Sequence, residues 1–304
     1  MRTFCRRYLK TLIRRPSLAE VKAYQEDGVV LLNNFLSEEE VSLAEKAVDA
    51  AVSNPGPFAE FIGDGVKWED MFATGASERK WTMFQDQFSS QRVPEMKHFV
   101  CHSSVGPLIA ALMASKSATF FYDHVICKTP TNSKRGASIP WHQDLPYWNI
   151  NGKMIGSVWV PLDKMSEDVG VSWILGSHKW GLFRPQHFVD ASPYEGSEYL
   201  PLMPDIADLV VQGKVRQKQF AVNPGDVLCF DARIIHGSGG NTDPSRKIQR
   251  RVALRFGGDD AVYFERPGET AIPTSDIDHG LEHNSPLACK TFPTVWPREK
   301  LQDF

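Results

Sequence analysis

The first third of the chain carries apolar residues at helical spacing. Ser37 and Glu40 form a capping box, in which the two side chains bond the free amides at the start of a helix. Behind this box, apolar residues recur every three or four positions to about Ser53, which predicts a helix. The same spacing predicts shorter helices over residues 18–27 and roughly 103–115.

From about residue 118, short runs of aromatic and β-branched residues alternate with Gly, Pro, Asn and Asp. Such runs are typical of strands joined by turns. The predicted strands are Ala118–Lys128, Ser157–Leu162, Val169–Leu175, Val215–Val222, Val227–Phe230 and Arg251–Phe256. Helices followed by many short strands predict a mainly β fold, a sandwich or jelly roll with the N-terminal helices packed on it.

Residues 181–213 form a long stretch that is rich in Pro and weakly patterned. A stretch of this length without regular structure is usually a lid or a binding loop, so we expect it to lie over a site. The chain has no linker-like segment beyond its first residues. We therefore expect one domain over residues 18–304.

Charge and composition exclude several classes of protein. The 304 residues include 34 basic and 37 acidic side chains, a formal net charge of −3, so nucleic acid is not an expected partner. No apolar run reaches the roughly 18 to 20 residues of a membrane span. Residues 1–17 are basic and lack acids, which predicts a solvated arm or a mitochondrial targeting segment. The oligomeric state stays open.

The five cysteines form no CxxC pair, and their number is odd. Cys127 and Cys229 lie in apolar runs, where a free Cys behaves as a small buried hydrophobe. This pattern of cysteines predicts a protein without a disulfide framework in a reducing, intracellular compartment. We expect the cytoplasm, with the mitochondrion as the alternative that the basic N-terminus leaves open.

Three residues are candidate metal ligands. His142 and Asp144 form an HxD pair, and two such positions in a strand point to the same side. With nine His and 37 acids in 304 residues, about one HxD match is expected by chance, so the pair alone decides nothing. His236 follows an apolar strand, a turn and a second short strand, and it precedes a Gly-rich loop. Two His and one carboxylate are the ligand set of non-haem Fe(II) oxygenases, whereas a zinc site more often has three His or thiolates.

Six segments, in order between about residues 20 and 260, resemble the phytanoyl-CoA dioxygenase family of Fe(II)/2-oxoglutarate oxygenases. They are Phe121-Tyr122-Asp123…Lys128, Trp141-His142-Gln143-Asp144-Leu145-Pro146-Tyr147-Trp148, Val158-Trp159-Val160-Pro161-Leu162-Asp163, Gly176-Ser177-His178-Lys179, Pro224-Gly225-Asp226 and His236-Gly237-Ser238-Gly239…Asn241. The resemblance implies a double-stranded β-helix (a jelly-roll, cupin-like core), with Fe(II), 2-oxoglutarate and O2. It also implies iron ligation by His142, Asp144 and His236, with release of succinate and CO2. Because Asp144 is present where related halogenases have a small residue, we expect an oxygenase.

The distal carboxylate of 2-oxoglutarate requires a positive partner, for which the planar fork of Arg is suited. In the predicted strand, residues 250, 252, 254 and 256 share a mostly apolar face, while Arg251, Ala253 and Arg255 share the other. We expect Arg251 to bind the carboxylate, with Arg255 second and Arg250 not excluded. In the family an Arg often stands where Gln249 is found here, so the register is open.

Further candidates for the co-substrate are Ser238, Lys128, Gln143 and Trp159, all within the matching segments. Tyr147 and Trp148 are candidates for the wall of the substrate pocket.

The expected activity is hydroxylation of a small organic molecule, whose identity is not encoded in these motifs. Desaturation or ring closure in natural-product biosynthesis would use the same site. The other classes left open are a non-redox, cupin-like metal enzyme and a non-catalytic binding protein.

Overall fold

The computed structural model describes residues 14–62, 83–129, 138–188, 190–239, 248–268, 270–272 and 274–301. Within these residues the helices are α1 (Leu18–Asp27), α2 (Glu38–Ser53), α3 (Pro94–His102), α4 (Val105–Leu112) and α5 (Ile206–Val211). The helices predicted for residues 18–27, 38–53 and 103–115 are confirmed, and α2 has the predicted capping box. Most of the segment predicted to be a targeting arm, residues 1–13, lies outside the described residues.

The strands follow mainly after residue 118, as predicted. They are β1 (Val29–Leu32), β2 (Glu60–Ile62), β3 (Met83–Gln87), β4 (Ala118–Lys128), β5 (Ile139–His142), β6 (Ile150–Asn151), β7 (Ile155–Pro161), β8 (Val171–Ile174), β9 (Gln217–Lys218), β10 (Val227–Asp231), β11 (His236–Ser238), β12 (Gln249–Gly257), β13 (Val262–Tyr263) and β14 (Thr294–Trp296).

Two antiparallel sheets form the core. The larger has the strand order β1-β10-β7-β12-β4-β3-β2, with β14 also paired to β4, and the smaller has the order β5-β11-β8-β9. Trp173 of the small sheet packs with Trp159, Phe230 and Ala253 of the large one, so the two sheets enclose an apolar layer. This is the predicted jelly-roll arrangement.

The long central strand β12 separates the core from the site. Val252, Leu254 and Phe256 are fully buried and pack in the cluster that also contains the N-terminal helices. Ala253 faces the small sheet, and Arg251 and Arg255 lie on that same side. Because neighbouring residues of a strand point to opposite faces, one strand supplies both an apolar layer and two inward arginines, as predicted.

Some local predictions were wrong. The strand predicted over residues 215–222 is only two residues long, because β9 lies at the sheet edge and pairs with β8 alone. The stretch 181–213 is not wholly irregular, since it contains α5, which Asp205 caps. Helix α3 was not predicted, although its first residue, Pro94, is a residue favoured at that position.

No helix among the described residues is long and apolar enough to cross a membrane. Cys127 and Cys229 are free and buried in β4 and β10, as predicted for hydrophobic positions.

Candidate metal centre and cavity

The three candidate metal ligands meet at one end of the small sheet. His142 ends β5 and His236 begins β11, and these two residues are direct partners in the antiparallel pairing. Asp144 follows two residues after His142. One ligand atom from each of the three residues lies within 4.8 Å of the other two, and all three residues are buried.

The backbone brings Asp144 to this place in a way that strand alternation did not predict. Asp144 has helical dihedral angles (φ −73°, ψ −44°) and precedes a 3-10 turn over Leu145–Tyr147. Strand β5 has ended, so a turn directs the carboxylate back toward His142. The predicted place of His236 also needs correction, because His236 begins its strand instead of ending it.

Backbone carbonyls define which imidazole nitrogens are free. Nδ1 of His142 lies 2.9 Å from the Pro140 carbonyl oxygen, and Nδ1 of His236 lies 3.0 Å from that of Ile234. A carbonyl only accepts, so each Nδ1 carries the proton and donates it. In the neutral imidazole each Nε2 is then the nitrogen with the lone pair, and it is the atom that would bind a metal.

The carboxylate faces both free nitrogens. Oδ1 of Asp144 lies 3.5 Å from Nε2 of His142 and 3.8 Å from Nε2 of His236. Burial alone would raise the pKa of Asp144, but Arg255 and the two histidines bring that pKa below its ordinary value. Burial, followed by the neighbouring His142, lowers the pKa of His236 to about 3. Two imidazole nitrogens and one carboxylate oxygen are a donor set that fits a divalent metal ion such as Fe(II).

A cavity of about 510 Å³ opens from these three residues. Its walls include several aromatic side chains, among them those of the predicted pocket residues Tyr147 and Trp148, with Tyr122, Trp159, Phe188 and Phe230. The lining includes the carboxyl-bearing residues Glu60 and Asp144 and the cations Arg251 and Arg255. A concave site that combines apolar walls with polar groups able to fix orientation is typical of a small-molecule site.

Arg251 lies in this cavity with an exposed fraction of only 5%. Its guanidinium carbon is 5.9 Å from the centre of the Trp159 ring. Burial lowers the pKa of Arg251 to about 10, so the group stays charged near neutral pH. Among the described residues no carboxylate forms an ion pair with it, which leaves a buried cation available to an anionic ligand.

Two other predicted co-substrate residues lie together. Nζ of Lys128 donates to Oγ of Ser238 at 3.0 Å, and Ser238 lines the cavity. Burial, and then the charge of Arg251, lowers the pKa of Lys128 well below its ordinary value. The structure therefore brings Ser238 and Lys128 into the electrostatic surroundings of Arg251.

Gln143 is not brought to the cavity. Its amide nitrogen donates to the carbonyl oxygens of Gly181 and Arg233, and its amide oxygen accepts from the Phe183 amide. The side chain is thus saturated by backbone bonds and holds the start of the 181–213 segment. This is a different place from the co-substrate contact that the sequence predicted.

The motifs missed several residues of the site. Nε2 of His124 lies 3.1 Å from Oε1 of Gln85, and Gln85 donates to Glu60, so a polar chain lines one wall. Burial, and then Arg255, lowers the pKa of His124 to about 3. Strand β3 was not predicted, so nothing in the sequence placed Gln85 beside β4.

The fold and the site together define the class of the protein. A jelly roll that carries two histidines and one aspartate at the end of a buried cavity is the arrangement of the non-haem iron oxygenases.

The family follows from comparison with known proteins. A model of the family "Phytanoyl-CoA dioxygenase (PhyH)" matches residues 24–249, and the chain belongs to this family. It is therefore a 2-oxoglutarate-dependent non-haem iron dioxygenase, with Fe(II) and 2-oxoglutarate as cofactor and co-substrate.

Two relatives are peroxisomal phytanoyl-CoA dioxygenases. The Rattus norvegicus protein is 23% identical over 273 residues, which cover 83% of this chain and 71% of the relative. The Homo sapiens protein is 25% identical over 280 residues, which cover 88% of this chain and 76% of the relative.

Solved structures share the fold. The α-ketoglutarate-dependent carbocyclase SnoK from nogalamycin biosynthesis has a TM-score of 0.67 at 22% identity, covering 92% of this chain and 96% of SnoK. EctD from S. alaskensis, solved with 2-oxoglutarate and 5-hydroxyectoine, has a TM-score of 0.62 at 18% identity. The match covers 90% of this chain and 89% of EctD.

Proposed function

We propose that this chain hydroxylates a small organic molecule, with iron held by Nε2 of His142, Nε2 of His236 and Oδ1 of Asp144. One observation carries the proposal. Both histidines have Nδ1 bonded to a backbone carbonyl, so that their free nitrogens converge with one carboxylate oxygen at the end of a buried cavity. Such backbone partners are typical of metal-ligating histidines.

When bound, Fe(II) supplies the oxidation, in which O2, 2-oxoglutarate and a substrate C–H bond give succinate, CO2 and the hydroxylated product. The protein's own residues bind and orient the reactants and exclude water. The aromatic side chains around Tyr147 and Trp148 keep the dielectric low and contact the apolar part of a substrate.

The proposed anchor of 2-oxoglutarate is Arg251. It is a buried cation on the cavity wall, and Trp159 lies beside its guanidinium. A carboxylate that entered here would form two parallel hydrogen bonds with a guanidinium that pairs with no carboxylate among the described residues. The Ser238 hydroxyl, which accepts from Lys128, is the proposed second contact.

The proposed lid is the segment 181–213. Phe188 and Tyr194 from this segment line the cavity, and the Phe188 ring centre lies 4.9 Å from that of His142. Phe188 is nevertheless 48% exposed, so it lies between solvent and the proposed iron ligands. This position supports a role in closing the cavity.

The test of the metal centre is succinate formation with anaerobically loaded Fe(II), 2-oxoglutarate and O2. Oxygenases of this class turn over the oxo acid slowly without substrate, so no substrate needs to be guessed. We expect iron-dependent succinate from the wild type and none from His142→Ala, because one of three ligands is lost. Succinate at the wild-type rate from His142→Ala would contradict the assignment.

The test of the oxo-acid anchor compares two neighbouring arginines. Replacing Arg251 by Met removes a charge-assisted bond of about 1.5 to 3 kcal/mol, so we expect the apparent KM for 2-oxoglutarate to rise roughly 10- to 100-fold. Arg250→Met is the matched control, because Arg250 lies on the opposite face and pairs with Asp163. Equal KM values for Arg251→Met and wild type would refute the proposal.

The test of the lid is limited chymotrypsin digestion. Cleavage after Phe188 should slow when Fe(II) and 2-oxoglutarate are added anaerobically, because an ordered site holds the segment closed. Leu18 is an internal control, since it is exposed but lies outside the 181–213 segment and does not line the cavity. Phe188 cleavage that stays unchanged, relative to cleavage after Leu18, would argue against a lid.

A further inference from the structure

Arg255 is a buried cation held in an aromatic box. It lies on the inward face of β12, four residues after Arg251, with an exposed side-chain fraction of 7%. Its guanidinium carbon lies 5.1 Å from the centre of the Trp148 ring, 5.4 Å from that of Phe230 and 6.0 Å from that of Tyr122. Rings on several sides restrict where the guanidinium can move.

The two oxygens of Asp144 face different partners. Oδ1 faces the free Nε2 atoms of His142 and His236, at 3.5 and 3.8 Å. Oδ2 faces Nη1 of Arg255 at 3.2 Å, an ion-pair contact that is too oblique for a hydrogen bond. One oxygen of the carboxylate therefore faces the candidate metal position, and the other faces the arginine.

Arg255 has no other acidic partner within the described residues. Its Nε and Nη1 atoms are buried and make no hydrogen bond. A buried ion pair often contributes little net stability, which favours a role for Arg255 at the adjacent candidate metal position.

We propose that Arg255 is a positioning residue: it holds Oδ2 of Asp144 away from the iron, so that Asp144 binds through Oδ1 alone. This inference rests on the proposed metal centre. A carboxylate that binds through one oxygen completes a three-ligand face and leaves the remaining positions open to the oxo acid and O2. A carboxylate free to turn would lose that fixed arrangement, as when an outer partner of a metal ligand is removed.

A simpler interpretation of Arg255 predicts the opposite change in metal affinity when the arginine is removed. A cation close to a metal ion repels it, so if Arg255 acted only through its charge, its removal would tighten metal binding. If Arg255 positions Asp144, its removal weakens metal binding, typically 10- to 100-fold for such outer partners. The direction of the change separates the two.

The experiment is an anaerobic titration of the full chain with Co(II) in the absence of 2-oxoglutarate. Binding is followed by calorimetry and by the visible absorption of the bound ion, which reports its ligand set. We expect Arg255→Met to weaken Co(II) binding by roughly 10- to 100-fold and to alter the spectrum. Binding that is unchanged or tighter would overturn the inference.

Arg251→Met is the matched control. It removes a cation of equal burial from the same strand face, but one that does not contact Asp144, so the Co(II) affinity and spectrum should stay close to wild type. An equal loss in both variants would overturn the inference, because the effect would then belong to any buried charge in the cavity.

Arg255→Lys is a second variant that tests the same inference if Arg255→Met does not fold. Lysine retains the charge but lacks the planar fork. Positioning predicts weaker Co(II) binding than in wild type, whereas charge alone predicts equal binding. A wild type that binds no Co(II) at His142, Asp144 and His236 would instead refute the proposed metal centre, which distinguishes the two failures.

Discussion

The site depends on one strand pairing, the contact of β5 with β11. That pairing makes His142 and His236 direct partners, although they are distant in sequence. Because each Nδ1 is bonded to a carbonyl two residues earlier in its own chain segment, the backbone also fixes the orientation of each ring. The free Nε2 atoms follow from these two constraints, and the turn after His142 then adds the carboxylate of Asp144.

Strand β12 gives the cavity its charge. Its outward residue Arg250 is satisfied by Asp163 and Asp49, while the inward Arg251 and Arg255 are buried. The two inward cations have different surroundings, since Arg255 contacts Asp144 and Arg251 pairs with no described carboxylate. One cavity therefore holds a cation that faces a candidate metal ligand and a second cation that we propose as the anchor of the oxo acid.

Residue spacing in the sequence predicted those features that depend on neighbouring residues of one segment. The capping box of Ser37 and the two faces of β12 were predicted from residue spacing, whereas β3 and β5 were not among the predicted strands. The contacts made across long distances were not: the turn at Asp144 departs from strand alternation, and the partner of Gln143 is the backbone of another segment. The contact between Arg255 and Asp144 joins the large sheet to the turn after β5, and no spacing along the chain encodes it.

The central claim is that His142, Asp144 and His236 hold a single iron ion. Anomalous diffraction at the iron absorption edge, from crystals grown anaerobically with Fe(II) and 2-oxoglutarate, tests it most directly. The account predicts one strong anomalous peak within bonding distance of Nε2 of His142, Nε2 of His236 and Oδ1 of Asp144. Oδ2 of Asp144 should still face Arg255. Iron bound by other residues, with these three side chains free of metal, would contradict it.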